Sequence, residues 1–188
     1  MSADCTFTEA THEYRIGGRF VPSVTQVLGD LLPCFQAGEW YLERGRAVHA
    51  CAAMIAKGIA FEHDEQIDGQ VLALRRFFRE VNPIVVSVEK QVFSKRYLFA
   101  GTLDLLSNTV IDFKTSISES VPYQLAAYAI AEEEMTGNKI AYGFAVQIND
   151  DGTYSMSKSY DLKRYKQGFL AMLTTFNIRR NSGIKEGK

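Results

Sequence analysis

Three charged residues sit inside one short stretch. Asp104 belongs to Gly101-Thr102-Leu103-Asp104-Leu105-Leu106, a turn follows at Ser107-Asn108, and Val110-Ile111-Asp112-Phe113-Lys114-Thr115 comes next. Both halves read as strands, and each carries charge where a strand is normally apolar. Asp112 and Lys114 are two apart, so on a strand they share a face. Carboxylates are hard oxygen ligands for a divalent cation, and an ammonium beside them serves the attacking water or the phosphate. Metal-dependent phosphodiester hydrolysis requires this set. The plainer alternatives are a solvated strand-end carboxylate for Asp104 and a same-face surface ion pair for Asp112 and Lys114. D-x-K is common; its combination with Asp104 across a tight turn is much less so.

Further candidates flank this stretch. Glu89, in Val88-Glu89-Lys90-Gln91-Val92, either completes a carboxylate cluster on the preceding strand or faces solvent by alternation. His49 is a lone histidine on a helix of Ala, Val, Cys, Met and Ile, where a satisfied core or surface histidine is the ordinary reading. Gly45 lies one turn before it, where a small residue permits close approach, and a neutral imidazole ligates Mn²⁺ or Mg²⁺ beside carboxylates. Gln124 and Tyr128 are one turn apart on a helix otherwise rich in Leu, Ala and Ile. That helix starts where a connection from the strand would aim it back across the site. The simpler account packs Tyr128 with its hydroxyl bonded and exposes Gln124.

The elements that must position these residues are readable in order. Tyr14 to Val21 forms a hairpin around Gly17-Gly18. Ser23 and Gln26 have capping-box spacing and open a short helix through Leu28. Trp40 to Lys57 is a helix closed by Gly58. Ile67, Val71, Leu74 and Phe78 mark another, ended by Asn82-Pro83. Strands follow at Val85 to Phe93, Leu98 to Leu106 and Val110 to Thr115. Tyr123 to Met135 is a helix, with Pro122 near its first turn and Gly137 past its end. Ala141 to Ile148 and Tyr154 to Tyr160 make a hairpin around Asp151-Gly152. Leu162, Tyr165, Phe169, Met172, Leu173 and Phe176 give a last amphipathic helix. The tail from Arg179 is polar and reads as loose. This order predicts a mixed α/β fold around a central sheet, and the central strands are joined too tightly for a doubly wound parallel one.

The chain has 188 residues, 46% hydrophobic, with a net charge of −1. Its length suits a single domain over residues 1–188, with an N-terminal hairpin and helix appendage at about 1–38 and a loose tail at about 179–188. It is no polycation, so a nucleic-acid partner needs a local basic groove. Arg44, Arg46, Arg75, Arg76, Arg79, Lys95 and Arg96 are candidates, although a solvated helix face explains most of them singly. Cys5, Cys34 and Cys51 are widely spaced and form no metal-ligand pattern, which points to a reducing, cytosolic compartment. No apolar run approaches membrane-spanning length, so no membrane partner is expected.

Gly45-x-x-x-His49, Glu89, Gly101-x-x-Asp104, Asp112-x-Lys114 and Gln124-x-x-x-Tyr128, in this order, resemble the RecB-like exonuclease branch of the PD-(D/E)XK nuclease superfamily. The stretches Arg44 to His49 and Ile111 to Ser116 match that family's phrasing, and Ser23-Val24-Thr25 is similar to the N-termini of small phage and mitochondrial members. The resemblance spans about residues 14 to 170. It implies a restriction-endonuclease-like αβββαβ core with a mixed central sheet flanked by helices. It also implies one or two Mg²⁺ or Mn²⁺ ions held by His49, Asp104, Asp112 and the Phe113 backbone carbonyl. Glu89 would be an outer or second-metal ligand and Lys114 would orient or activate water. Gln124, Tyr128, Thr115, Ser23, Arg44 and Arg46 would contact substrate or its water network. The chain departs from the pattern in lacking a proline before the motif aspartate, in using Asp112 where some branches use Glu, and in lacking the four-cysteine iron–sulfur cluster. It also lacks a P-loop, so no bound nucleotide is expected.

The expected activity is a divalent-metal-dependent exonuclease acting on single- or double-stranded DNA with a free end. It would work in the cytoplasm of a bacterial or phage-infected cell, the mitochondrial matrix being the second choice. A recombination-protein partner or a homo-oligomer fits the same family. Three rivals remain: a structure-specific endonuclease of the same fold, a non-catalytic nucleic-acid-binding or assembly subunit, and an α/β domain whose charges are structural ion pairs.

Overall fold

The chain builds a six-stranded sheet with helices on both faces, and a small three-stranded sheet joins it at the N-terminal side. The computed structural model describes residues 5–32 and 38–183. Cys34 and the end of the expected tail, 184–188, lie outside the described residues.

The small antiparallel sheet contains β1 (Cys5–Thr8), β2 (Glu13–Ile16) and β3 (Arg19–Val21). The hairpin at Gly17 and Gly18, both at positive φ, follows the expectation from glycine in a two-residue turn. Strand β1 is an addition, since four residues with a partner across a further turn leave little periodic signal. Helix α1 (Val24–Leu31) opens with the expected capping box: Gln26 N donates to Ser23 Oγ at 3.0 Å and Ser23 N donates to Gln26 Oε1 at 2.9 Å. It runs one turn past Leu28, because the next proline in the sequence is Pro33.

Helices α2 (Glu39–Ala56) and α3 (Asp68–Val81) cover one face of the large sheet. Val48, Cys51 and Ala52 of α2 and Val71, Leu74 and Phe77 of α3 pack there with Leu105, Ile111, Phe113, Val146 and Ile148. Each such large side chain, fully buried, contributes about 1.5–3 kcal/mol. Asn82 ends α3 in the left-handed conformation at φ 48°, a conformation asparagine tolerates well.

The strands are β4 (Ser87–Ser94), β5 (Phe99–Leu106), β6 (Val110–Lys114), β7 (Tyr142–Ile148), β8 (Tyr154–Met156) and β9 (Tyr160–Asp161). Strands β4, β5 and β6 are antiparallel neighbours, β6 and β7 are parallel, and β8 and β9 both pair antiparallel with β7. The parallel pair needs a crossover, which α4 (Val121–Thr136) supplies. The sheet is therefore mixed and flanked by helices, as expected. The expected single strand from Tyr154 to Tyr160 is two short strands instead.

Helix α4 is buried nearly all round, between the sheet and α1 and α5 (Lys163–Asn181). Ala126, Ala127, Ala129 and Ala131 let it approach its neighbours closely, which explains why it lacks an amphipathic stripe. Its last turns carry Glu132, Glu133 and Glu134, and each ties a different element. Glu132 receives Lys90 of β4 at 2.6 Å, Glu133 receives Lys166 of α5 at 2.7 Å, and Glu134 accepts from the Arg96 amide at 3.0 Å. Helix α5 continues to Asn181, and Arg179 pairs with Asp30 of α1 at 3.1 Å. Arg179 and Arg180 are thus helical rather than part of a loose tail.

Candidate active site

The site lies where the sheet's ladder is interrupted. Strands β5 and β6 pair at Leu105–Ile111 and Leu106–Val110 and then part. Where Asp104 would face Asp112, side chains take over: the Phe113 amide donates to Asp104 Oδ2 at 2.7 Å. The β4–β5 ladder also skips one position, between Val88–Leu105 and Lys90–Leu103, where Glu89 stands opposite Asp104. Glu89 has φ 47°, a costly conformation for a non-glycine residue and one that concentrates at functional sites. On β5, Leu103 packs in the core under α4 while Leu105 packs in the core under α2 and α3. Side chains two apart normally share a face, so the strand changes face at Asp104. This aspartate is buried and is not a solvated rim carboxylate.

His49, Glu89 and Asp104 come together at this break, each offering a ligand atom within 4.8 Å of the others. His49 Nδ1 lies 3.2 Å from Asp104 Oδ1 and 3.9 Å from Glu89 Oε1. Asp112 is not a member of that group of three. It projects to the α4 side, where Gln124 Nε2 donates to its Oδ1 at 3.2 Å and Lys114 Nζ lies 2.8 Å from its Oδ2. Gln124 Nε2 also donates to the Tyr128 hydroxyl at 3.0 Å. Gln124 is buried rather than exposed. The same-face reading of Asp112 and Lys114 holds, but Asp112 is only 1% exposed, so the pair is no surface pair.

The charges explain one another. Burial opposes the His49 cation, yet Asp104 outweighs it and lifts the imidazole to about 9. Burial would raise Asp104, but His49, Lys114 and the Phe113 amide hold it below its usual value. Burial and then Asp104 push Glu89 up to about 7. Burial lifts Asp112 to about 6 against the pull of Lys114. Burial works against the Lys114 ammonium, and Asp112 and Asp104 more than offset it, so it stays charged. Burial and the two aspartates raise the Tyr128 phenol well above its ordinary value. These groups hold one another's charges in a place that otherwise penalises charge.

The donor set suits a hard divalent cation. Two carboxylates and an imidazole are donors of the right type, and ligands on opposite sides of a Mg²⁺ ion stand about 4.2 Å apart. Asp112 Oδ2 is buried and accepts no directed hydrogen bond despite the nearby ammonium. Beside the cluster opens a cavity of about 100 Å³, lined by Gly45, Val48, His49, Phe113, Lys114 and Thr115. A Cβ at Gly45 would meet nothing within 4 Å, whereas one at Gly101 would stand 2.8 Å from Tyr128 Cε1. Gly45 therefore leaves space in the cavity, and Gly101 seats the Tyr128 ring.

The remaining expected contacts are distributed differently. Thr115 is exposed at the cavity and Arg46 is exposed on α2. Ser23 is buried and spends its hydroxyl on the cap of α1. Arg44 pairs with Asp150 of the β7–β8 turn at 2.8 Å. Among the other basic candidates, Arg75 covers the Phe61 ring at 5.2 Å, Arg96 covers Tyr97 at 5.1 Å, and Arg76 and Arg79 pair with Glu80. Most of these are engaged within the fold. Tyr14 was not singled out by its sequence context. Its buried hydroxyl bonds Thr102 Oγ1 at 2.8 Å, which joins the small sheet to the strand bearing Asp104.

No family model matches this chain, and no curated protein matches it either. Among solved structures, it is similar to an alkaline exonuclease, LHK-Exo, from Laribacter hongkongensis. Identity is 14%, with 87% of this chain and 94% of that chain covered and a TM-score of 0.38. The same exonuclease in complex with dAMP matches at 14% identity over 87% of this chain and 93% of that chain, with a TM-score of 0.41. A likeness this slight assigns no activity. No helix among the described residues is long and apolar enough to cross a membrane.

Proposed function

We propose that this protein is a divalent-cation-dependent nuclease of the PD-(D/E)XK type that degrades DNA from an end. One observation carries the reading: an imidazole, two carboxylates and a buried aspartate–lysine pair meet at a break in the sheet, beside an open cavity. A structural ion-pair network has no need of a left-handed Glu89, which opens the ladder and turns a third acidic group to the cluster.

His49, Glu89 and Asp104 would hold a Mg²⁺ or Mn²⁺ ion, with Asp112 and the Phe113 carbonyl as candidate further oxygens. A bound ion supplies Lewis-acid stabilisation of phosphate charge and a more acidic water. Lys114, kept charged by Asp112 and Asp104, would orient or activate the water or steady a phosphate oxygen. Gln124 fixes the Asp112 carboxylate and shares its amide with Tyr128, so the two helical residues position rather than react. Thr115, exposed at the cavity, would meet the substrate backbone there, and Arg46, exposed on α2, would be a second backbone contact.

The test uses linear DNA, end-labelled on each strand in turn, with Mg²⁺ or Mn²⁺. Asp112→Ala and Lys114→Ala should each lower the rate at least about 100-fold, the scale of losing one electrostatic stabiliser. Full activity in both variants overturns the assignment. Closed circular DNA, cut only if no end is needed, separates exonuclease from endonuclease.

A further inference from the structure

We propose that the first turn of α2 is a stacking platform for the bases of single-stranded DNA whose backbone runs along the helix into the carboxylate cluster. The proposal rests on the nuclease reading and extends it to a second contact surface and a strand state.

Trp40, Tyr41 and Leu42 are 50%, 57% and 50% exposed. Three consecutive large apolar side chains facing water on one helical turn are unusual on a monomer's surface and mark a contact site. The two rings meet edge to face, with centroids 4.8 Å apart and planes at 85°. The Arg44 guanidinium lies 5.2 Å from the Trp40 ring centre and is itself anchored by Asp150 at 2.8 Å. The platform is thus built on a tethered cation and is not a loose side chain.

Its position points to the occupant. Tyr41, Gly45 and His49 succeed one another at intervals of four, so they form one stripe along α2. The stripe begins at an aromatic ring, crosses open space at Gly45 and ends at the metal-ligand candidate. Eight residues of helix span about 12 Å, which is three to four nucleotide steps for a strand whose bases keep the stacked rise of about 3.4 Å. Exposed Arg46 lies beside the stripe, and the helix N-terminus adds partial positive charge for phosphates. Half-exposed rings, with Arg44 over one face of Trp40, suit unpaired bases, whose π faces are free, whereas those of a duplex interior are taken. With a net charge of −1, the whole molecule does not attract nucleic acid, so local stacking must supply the hold.

Trp40 is the only tryptophan, so tryptophan emission of the unmodified protein reports on this spot alone. The experiment titrates fluorescein-labelled oligothymidylates of about 2 to 16 nucleotides, from below to the top of the single-strand site sizes of about 4–16. Each is added with Ca²⁺ in place of the reactive cation, following emission and label anisotropy together. Emission should be quenched by oligomers of about four nucleotides or more and not by dinucleotides. Trp40→Ala and Tyr41→Ala should each weaken anisotropy-detected binding about 5- to 100-fold, while Trp40→Phe retains most of the affinity. Binding without quenching, with affinity unchanged in both alanine variants, overturns the platform and leaves the nuclease reading standing. Absence of binding at every length, together with no cleavage of linear DNA, removes the nuclease reading and this proposal with it. A wild-type dimer that Trp40→Ala converts to a monomer would assign the patch to a second copy of the chain and overturn the proposal.

Discussion

Without a divalent cation, the protein should lose stability as pH rises from about 6.5 to about 9. The cause is the His49–Asp104 pair at 3.2 Å. Asp104 overcomes the burial penalty and lifts His49 from 6.5 to about 9. A group whose folded pKa exceeds its unfolded value contributes stability that is complete below the unfolded value and is lost as pH passes the folded one. The window is therefore about pH 6.5 to 9. A shift of about 2.5 units corresponds to about 3 kcal/mol at 1.36 kcal/mol per unit. The ring is 30% exposed, so solvent screening trims this to about 2 kcal/mol. For a chain of this size that is a fall in Tm of about 4–8 °C. Glu89 acts in the same direction but lower: raised from 4.5 to about 7, it has given up most of its contribution by neutrality. The assay is thermal melting in EDTA at about one-unit pH steps, comparing wild type with His49→Gln. The wild type should fall more steeply than the variant between about pH 7 and 9. Parallel curves would refute the pairing, because the loss would then come from elsewhere. Saturating Mn²⁺ should flatten the wild-type curve, since a cation would then stand where the proton did.

The same two groups make cation binding proton-coupled. Below about pH 7 a cation must displace protons from both His49 and Glu89, and between about 7 and 9 from His49 alone; log affinity measured by calorimetry should rise with slope near 2, then near 1, then level off. Gly101→Ala would place a methyl 2.8 Å from Tyr128 Cε1 and 3.3 Å from Val24 Cγ2. It should cost about 1–3 kcal/mol in denaturant unfolding and slow cleavage as well, because Tyr128 is tied through Gln124 to Asp112. Ser23→Ala should cost about 1 kcal/mol, the worth of a helix cap, with KM for DNA moving less than twofold; a large KM change would restore Ser23 as a substrate contact.

Local chemistry was legible in the sequence wherever the determining residues are near one another. The capping box at Ser23 and Gln26, the helix stops at Asn82 and Gly137, and the shared face of Asp112 and Lys114 all depend on spacings of a few residues, and all stand in the structure. What stayed hidden depends on distant partners. Arg44 reads as a free cation until the β7–β8 turn brings Asp150 to it. The parallel pairing of β6 and β7 leaves no mark in either strand alone. Glu89 alternates like any strand residue, and nothing in its neighbours reveals φ 47°. The switch of β5 between the two cores at Asp104 is likewise a property of three strands together.

Helix α4 behaves as a lever. Its working end holds Gln124 and Tyr128 at the Asp112 carboxylate, and its far end is pinned by Glu132, Glu133 and Glu134 to β4, α5 and the turn after β4. Gln124 and Glu132 are eight residues apart, about 12 Å of helix, so a swing of about 5° about the pinned end carries Gln124 about 1 Å. Displacements of that size cost about 100-fold where groups must be aligned for reaction. The three glutamates therefore act as alignment screws for a site none of them touches. Loosening Glu132, buried with Lys90 against it, should disturb the alignment at Asp112 and lower the melting temperature together.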